Sequence, residues 1–139
     1  MRFVDASTFL YAFLRPRRSL PPDLSEMKAG AQRILRRVDG GEVVVTSVVH
    51  VSEVANILEA RIPLADCRRI VSDIVAKGNV EVVDVTRDQY MASVHAAEFY
   101  DIGVNDALAF NIMQDRGLVE VYSFDSHFDD LPGIERLTA

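Results

Sequence analysis

The chain has 139 residues, 49% of them hydrophobic, and a net charge of −6; this fits a domain with its own core and excludes a disordered chain. No apolar run approaches the ~20 residues that span a bilayer, and the N-terminus reads as a strand rather than a signal peptide, so a cytoplasmic location without membrane contact is expected. The single cysteine, Cys67, excludes an internal disulfide and a cysteine-based zinc site and fits a reducing compartment.

Arg2 to Val4 is a short apolar strand leading into Asp5, and Ala6 to Leu14 reads as a helix that stops before Pro16. Arg15 to Leu24 is the one notable loop, with three prolines. Met27, Ala31, Ile34, Leu35 and Val38 recur at helical spacing up to Gly40-Gly41. Glu42 to Thr46 is strand-like, and Thr46 or Ser47 caps a helix running to about Arg61. Cys67, Ile70, Val71, Ile74 and Val75 form the apolar face of another helix, ended by Gly78-Asn79. Val80 to Val85 is a strand, and Thr86 caps a helix to about Tyr100. Asn105 is read as the cap of a helix from Asp106 to Arg116; Val119 to Phe124 and Ile134 to Leu137 are the last strands. Repeats and low-complexity tracts are absent. Alternating strands and helices imply a single α/β domain over residues 1–139. Its central sheet is expected to be mostly parallel, with about four or five strands and helices on both faces.

Four acids interrupt or end apolar runs: Asp5 in RFVDAS, Glu53 in VVHVSEVANIL, Asp106 in GVNDALAFNIM and Asp125 in VYSFDS. Buried carboxylates need a partner, a hydrogen bond or a metal. Each has an ordinary explanation. Asp5 suits a helix cap, Asp106 the first turn of a helix, and Asp125 an Asx turn. Glu53 has the fewest, because its flanks leave only a narrow polar stripe with His50 and Asn56, and no Lys or Arg lies within a turn on that face. In an open α/β sheet, sites form outside the carboxyl ends of the strands. Asp5 and Asp125 fall at strand ends, Glu53 in a helix after a strand, and Asp106 at a helix start, so all four can meet at one edge. Such a pocket repels itself unless cations fill it, which points to Mg2+ or a similar hard ion acting on a phosphodiester. No Ser-His-Asp pattern, glycine-rich phosphate loop or HExxH motif offers another chemistry.

The blocks DAS at Asp5–Ser7, SEVANIL around Glu53, NDALAFNI around Asp106 and SFDSHF around Asp125 resemble the PIN-domain family, in order and over essentially the whole chain. The resemblance implies a PIN-like fold and a metal-dependent endoribonuclease using Mg2+ or Mn2+ and leaving a 5′-phosphate. Within that family the chain looks most like the VapC toxins, which implies RNA as substrate, a homodimer, and a small antitoxin protein whose tail covers the acidic site. Asp5, Asp106 and Asp125 would be the main metal ligands, with Glu53 completing the site. Ser7 would bind water or metal through its hydroxyl, and Asp129 would be an outer ligand. The basic clusters at Arg15, Arg17 and Arg18, at Arg33, Arg36 and Arg37, and at Arg68 and Arg69 offset an overall acidity that is unusual for a nucleic-acid binder. The first of them is expected to contact RNA backbone.

Other residues read more plainly. His127 beside Asp125 is expected at the surface, and His50 and His95 receive no role. Cys67, Phe99, Tyr100, Phe110 and Phe124 are expected to pack in the core, and Phe9, Tyr11 and Phe13 to cover a helix face that a dimer or partner buries. Two other phosphate-transfer classes fit less well. A haloacid-dehalogenase-type phosphatase needs a second Asp where Ser7 stands, and a response-regulator receiver needs a late Lys, whereas no Lys follows Lys77. A PIN-fold nuclease of RNA maturation, or a PIN-like module kept for binding or assembly, remains the alternative to a toxin.

Overall fold

A computed structural model describes residues 1–14 and 20–139. Five strands form one sheet, β1 (Arg2–Val4), β2 (Val44–Ser47), β3 (Val80–Val83), β4 (Glu120–Tyr122) and β5 (Glu135–Leu137), in the order β3-β2-β1-β4-β5. Every pairing is parallel. Six helices connect them: α1 (Ala6–Phe13), α2 (Pro22–Asp39), α3 (Val48–Glu59), α4 (Leu64–Ala76), α5 (Arg87–Tyr100) and α6 (Val104–Arg116). A short 3-10 turn, Ser126–Asp130, comes after β4.

Strand residues alternate between two cores because side chains leave a strand on opposite faces. Val4, Val44 and Tyr122 point to one face, where they meet Phe9, Ile34, Val54, Leu58 and Ile74 of the first four helices. Phe3, Val45 and Val121 point to the other, against Ala109, Phe110 and Met113 of α6 and Phe128 of the turn. Burial on both faces explains why these strands read as continuous apolar runs. Buried hydroxyls fasten the strand ends: Thr46 Oγ1 donates to the Val4 carbonyl at 2.8 Å and Thr8 Oγ1 to the Tyr122 carbonyl at 2.9 Å.

Several local expectations hold. Ser47 caps α3, and Thr86 with Gln89 closes a capping box at α5. Cys67 is buried and Phe110 lies in the core. Others do not. Asn105 is not a cap: α6 starts earlier, with Gly103 at its N-cap and Asn105 inside the first turn. Phe99 is 81% exposed and packs only edge-on against Tyr100, so it is no core residue. Phe9 lies in the chain's own core rather than on a surface kept for a partner, and Tyr11 packs against Phe124 with ring centroids 5.3 Å apart. No helix among the described residues is long and apolar enough to cross a membrane.

Phe3 is fully buried on the central strand and meets the His50 ring edge-on at 5.0 Å. Phe3→Ala is expected to cost about 3–5 kcal/mol in urea unfolding, through lost transfer energy and the cavity left behind. A cost below about 1 kcal/mol would mean that the two faces repack independently of this ring.

Candidate active site

The sheet order places β1 in the middle with β2 and β4 beside it. Because these three neighbours run parallel, the segments leaving their carboxyl ends converge at one edge. Asp5 leaves β1 directly. Glu53 lies on α3, which starts without a loop after β2, and Asp125 lies three residues beyond β4. Asp106 arrives differently, on the first turn of α6. The left-handed Asp101 (φ 54°) ends α5, and a short connection turns the chain back into α6. Asp5, Ser7, Glu53, Tyr90, Asn105, Asp106 and Asp125 together line one cleft of about 400 Å3, and among the described residues no Lys or Arg lines it.

Asp5, Glu53 and Asp125 are held by neutral donors, whereas Asp106 meets the His127 ring. Asp5 is only 4% exposed, and its Oδ2 accepts from Ser7 Oγ at 2.7 Å and Ser123 Oγ at 2.8 Å. Ser7 Oγ in turn accepts the Phe124 backbone N–H at 3.0 Å. The Ser7 hydroxyl proton is thus committed to orienting Asp5. Glu53 Oε1 accepts from Asn105 Nδ2 at 3.0 Å, while Asn105 Oδ1 accepts from the Tyr90 hydroxyl at 2.7 Å. The two partners fix which end of the Asn105 amide points where. Asp125 Oδ1 accepts the His127 backbone N–H at 2.9 Å. The His127 ring lies over the rim, its Nδ1 3.2 Å from Asp106 Oδ2 and 3.4 Å from Asp125 Oδ1. Any Cβ at Gly103 would stand 3.3 Å from Asp106 Oδ2, so a bare backbone suits that position.

His50 is fully buried behind the acids. Its Nε2 meets the Asn105 carbonyl at 3.0 Å and its Nδ1 meets Ser47 Oγ at 2.6 Å. A carbonyl only accepts, so Nε2 carries the proton and Nδ1 accepts from the Ser47 hydroxyl. Burial pushes this imidazole's pKa down, which keeps the ring neutral in that role.

Asp106 shows what the cleft lacks. Burial and the nearby Asp125 and Asp5 carboxylates raise its pKa from 3.8 to about 7. With no Lys or Arg among the described lining residues, and the His127 imidazole, whose pKa these acids raise, at the rim, the cluster is a fitting donor set for a divalent cation. The atoms that converge most closely belong to Asp106, Asp125 and His127, all within 4.8 Å of one another.

The sequence-based expectations fare unevenly. Asp5, Glu53, Asp106 and Asp125 share the cleft. Asp129 does not line it: both its oxygens are engaged by Arg136, at 2.8 and 2.9 Å, which holds the carboxyl below its usual range. Glu53 is partly exposed, and its hydrogen-bond partner is the Asn105 amide. Arg15, Arg17 and Arg18 lie outside the described residues. Ser123, Asn105, Tyr90 and His50 join the site without having been expected there. The sequence signal for Ser123 is a small hydroxyl interrupting the apolar run VYSFDS, whereas Asn105 carries the signature of a cap, which conceals its role beside Glu53.

Two outcomes are expected from this geometry. The folded Asp106 carboxyl holds its proton up to about 7, whereas the unfolded one releases it near 3.8. The metal-free protein therefore loses stability as pH rises through that window. In thermal melts with chelator, Asp106→Asn should raise Tm at about pH 8, by about 3 °C per kcal/mol of relieved repulsion at this length, and leave it near wild type at about pH 4. An unchanged pH slope in the variant would refute the repulsion. Asn105→Ala, which frees Glu53, should weaken divalent-ion binding about 10–100-fold by calorimetry while the far-ultraviolet circular dichroism is kept; unaltered affinity would show that Glu53 needs no such support.

The sequence profile of the PIN domain matches residues 2–134. No curated protein matches the chain. Among solved structures, it is similar to the Mycobacterium tuberculosis toxin VapC20, described as cleaving the sarcin-ricin loop, with 21% identity over 91% of each chain and a TM-score of 0.71. It is also similar to VapBC2 from Rickettsia felis bound to a DNA fragment of its promoter, with 12% identity over 98% of each chain and a TM-score of 0.65. A toxin–antitoxin complex from Klebsiella pneumoniae matches at 16% identity over 97% of this chain and 96% of the other, with a TM-score of 0.62. At these identities the likeness to the solved structures is one of fold. The profile match, covering nearly the whole length, is what makes this chain a member of the PIN-domain family.

Proposed function

We propose that this protein is a metal-dependent endoribonuclease, the toxin of a VapBC-type toxin–antitoxin pair, with Asp5, Glu53, Asp106 and Asp125 as its working carboxylates. The observation that carries the reading is the cleft itself: four acids from four separate elements, no Lys or Arg among the described residues lining it, and one acid pushed to about 7 by burial and by its neighbours. Membership of the PIN family and similarity to solved toxin–antitoxin structures support the same reading.

Mg2+ or Mn2+ is the cofactor, with Asp5, Asp106 and Asp125 holding it and Glu53 completing the site. When bound, such an ion supplies positive charge to the phosphodiester oxygens and makes water a better nucleophile near neutral pH. The residues themselves do the positioning. Ser7 and Ser123 hold one oxygen of Asp5. Asn105 keeps Glu53 turned toward the cleft. Uncompensated carboxylates repel a phosphate, so RNA can enter productively only after the acids are neutralised; substrate binding and metal binding are thereby coupled. Arg15, Arg17 and Arg18 contact the RNA backbone, the protein works as a homodimer, and a small antitoxin binds over the acidic cleft in the cytoplasm.

The test is cleavage of single-stranded and structured RNA with Mg2+ or Mn2+. Asp5→Asn should reduce the rate by more than the roughly 10–100-fold that loss of an outer hydrogen-bond partner costs a metal site. Chelator should abolish cleavage in the wild type. Cleavage that survives chelator, or is equal in Asp5→Asn, would refute the assignment.

A further inference from the structure

Of the three histidines, His127 alone combines exposure with contact to the acids. His50 is buried behind the cleft, committed through both ring nitrogens, and His95 sits exposed on α5. His127 has a position fixed by the backbone. The turn after β4 begins at Asp125, whose Oδ1 accepts the His127 N–H. That bond curls the chain so that the imidazole folds back over the two carboxylates.

The distances that result are those of a chelate. Nδ1 stands 3.2 Å from Asp106 Oδ2 and 3.4 Å from Asp125 Oδ1. Two ligands sharing one ion at about 2.1 Å lie about 3.0 Å apart at an octahedral right angle and about 3.4 Å apart in a tetrahedron. The hydrogen bond to Asp106 uses one N–H, and Asp125 at 3.4 Å is held by charge attraction. Convergence of one nitrogen on two carboxylates from different elements is also the arrangement a shared cation needs. The ring is also free to adjust, because its side chain is 53% exposed.

We infer that His127 Nδ1 is a ligand of the divalent ion in this site, beside Asp106 and Asp125, and tilts the site toward Mn2+, Co2+ or Zn2+ over Mg2+. The inference deepens the metal-site reading above and rests on it. Mg2+ prefers oxygen ligands and gives up its waters reluctantly, whereas imidazole suits the later transition ions. A nitrogen at the rim therefore adds affinity selectively, and a purely carboxylate site of the same shape lacks this bias.

The experiment is calorimetric titration of tag-free, metal-depleted protein with Mg2+, Mn2+ and Co2+, using wild type, His127→Ala and Asp125→Asn. Pulsed electron paramagnetic resonance of the Mn2+-loaded samples accompanies it. His127→Ala should weaken Mn2+ and Co2+ binding about tenfold or more, within the range seen when a metal site loses one supporting group, and leave Mg2+ affinity within about twofold. Wild type should show nitrogen hyperfine coupling from a bound imidazole, and His127→Ala should lose it. Equal losses for all three ions, or a nitrogen coupling that survives in His127→Ala, would overturn the assignment. If ions bind, Asp125→Asn abolishes binding and His127→Ala changes nothing, only the histidine's role fails. If wild type binds none of the ions, the metal-site reading falls with it.

Discussion

The structure turns on the mutual repulsion of carboxylates brought to one edge of a parallel sheet. Burial first, and then like charges nearby, disfavour ionisation, and Asp106, only 14% exposed and pushed to about 7, registers both costs. Among the described residues, no Lys or Arg lines the cleft. Arg2 pairs with Glu42 and Glu120 and Arg116 with Glu81, while Arg136, whose charge reaches Asp125 and whose Nη1 meets the Ser123 carbonyl, is engaged by Asp129. Among the described residues, the donors to the acids are hydroxyls, an amide and backbone N–H groups, with the His127 ring at the rim. Neutral donors fix the direction of a carboxylate without cancelling its charge, so the cleft stays a fitting place for an external cation.

The same residues serve folding. Asp5 caps α1 while presenting itself to the site, and Asp125 opens the turn after β4. Asp106 lies in the first turn of α6, where a negative charge suits the helix dipole. Capping and site-building are thus one placement rather than competing explanations. A cap is worth about 0.5–2 kcal/mol, so replacing Asp5 by Ala tests stability and chemistry together, whereas Asn keeps the acceptor and removes the charge.

Much of this is legible in the sequence, for a physical reason. Strands buried on both faces announce themselves as apolar runs, and helices by their period, so the parallel α/β sheet and the ends bearing Asp5 and Asp125 emerge from pattern alone. The illegible part depends on side-chain partners distant in sequence. Asn105 reads as a cap because Asn commonly caps helices; only the approach of α3 shows that its amide serves Glu53 and its carbonyl His50. Asp129 looks available until β5 places Arg136 against it. Phe99 looks like core because aromatic residues usually are, yet α5 packs its other side against α6 and leaves that ring outside.

Asp106 is the acid without a strand of its own, and its placement therefore needs a link across the sheet. α3 covers the face shared by Val4 and Val44, while α6 covers the face shared by Phe3 and Val45. His50 leaves α3, passes the end of β1 with its ring edge-on to Phe3, and reaches the Asn105 carbonyl next to Asp106. Asn105 returns the link from α6 through its amide to Glu53. One buried, neutral imidazole and one amide thus tie together two helices on opposite faces at the point where their acids must face each other. A charged group in the place of His50 would incur the desolvation penalty of full burial, and a shorter one would leave the Asn105 carbonyl without its donor. Neutral imidazole satisfies both demands, which is why this histidine belongs to the architecture of the site although it contributes no ligand to it.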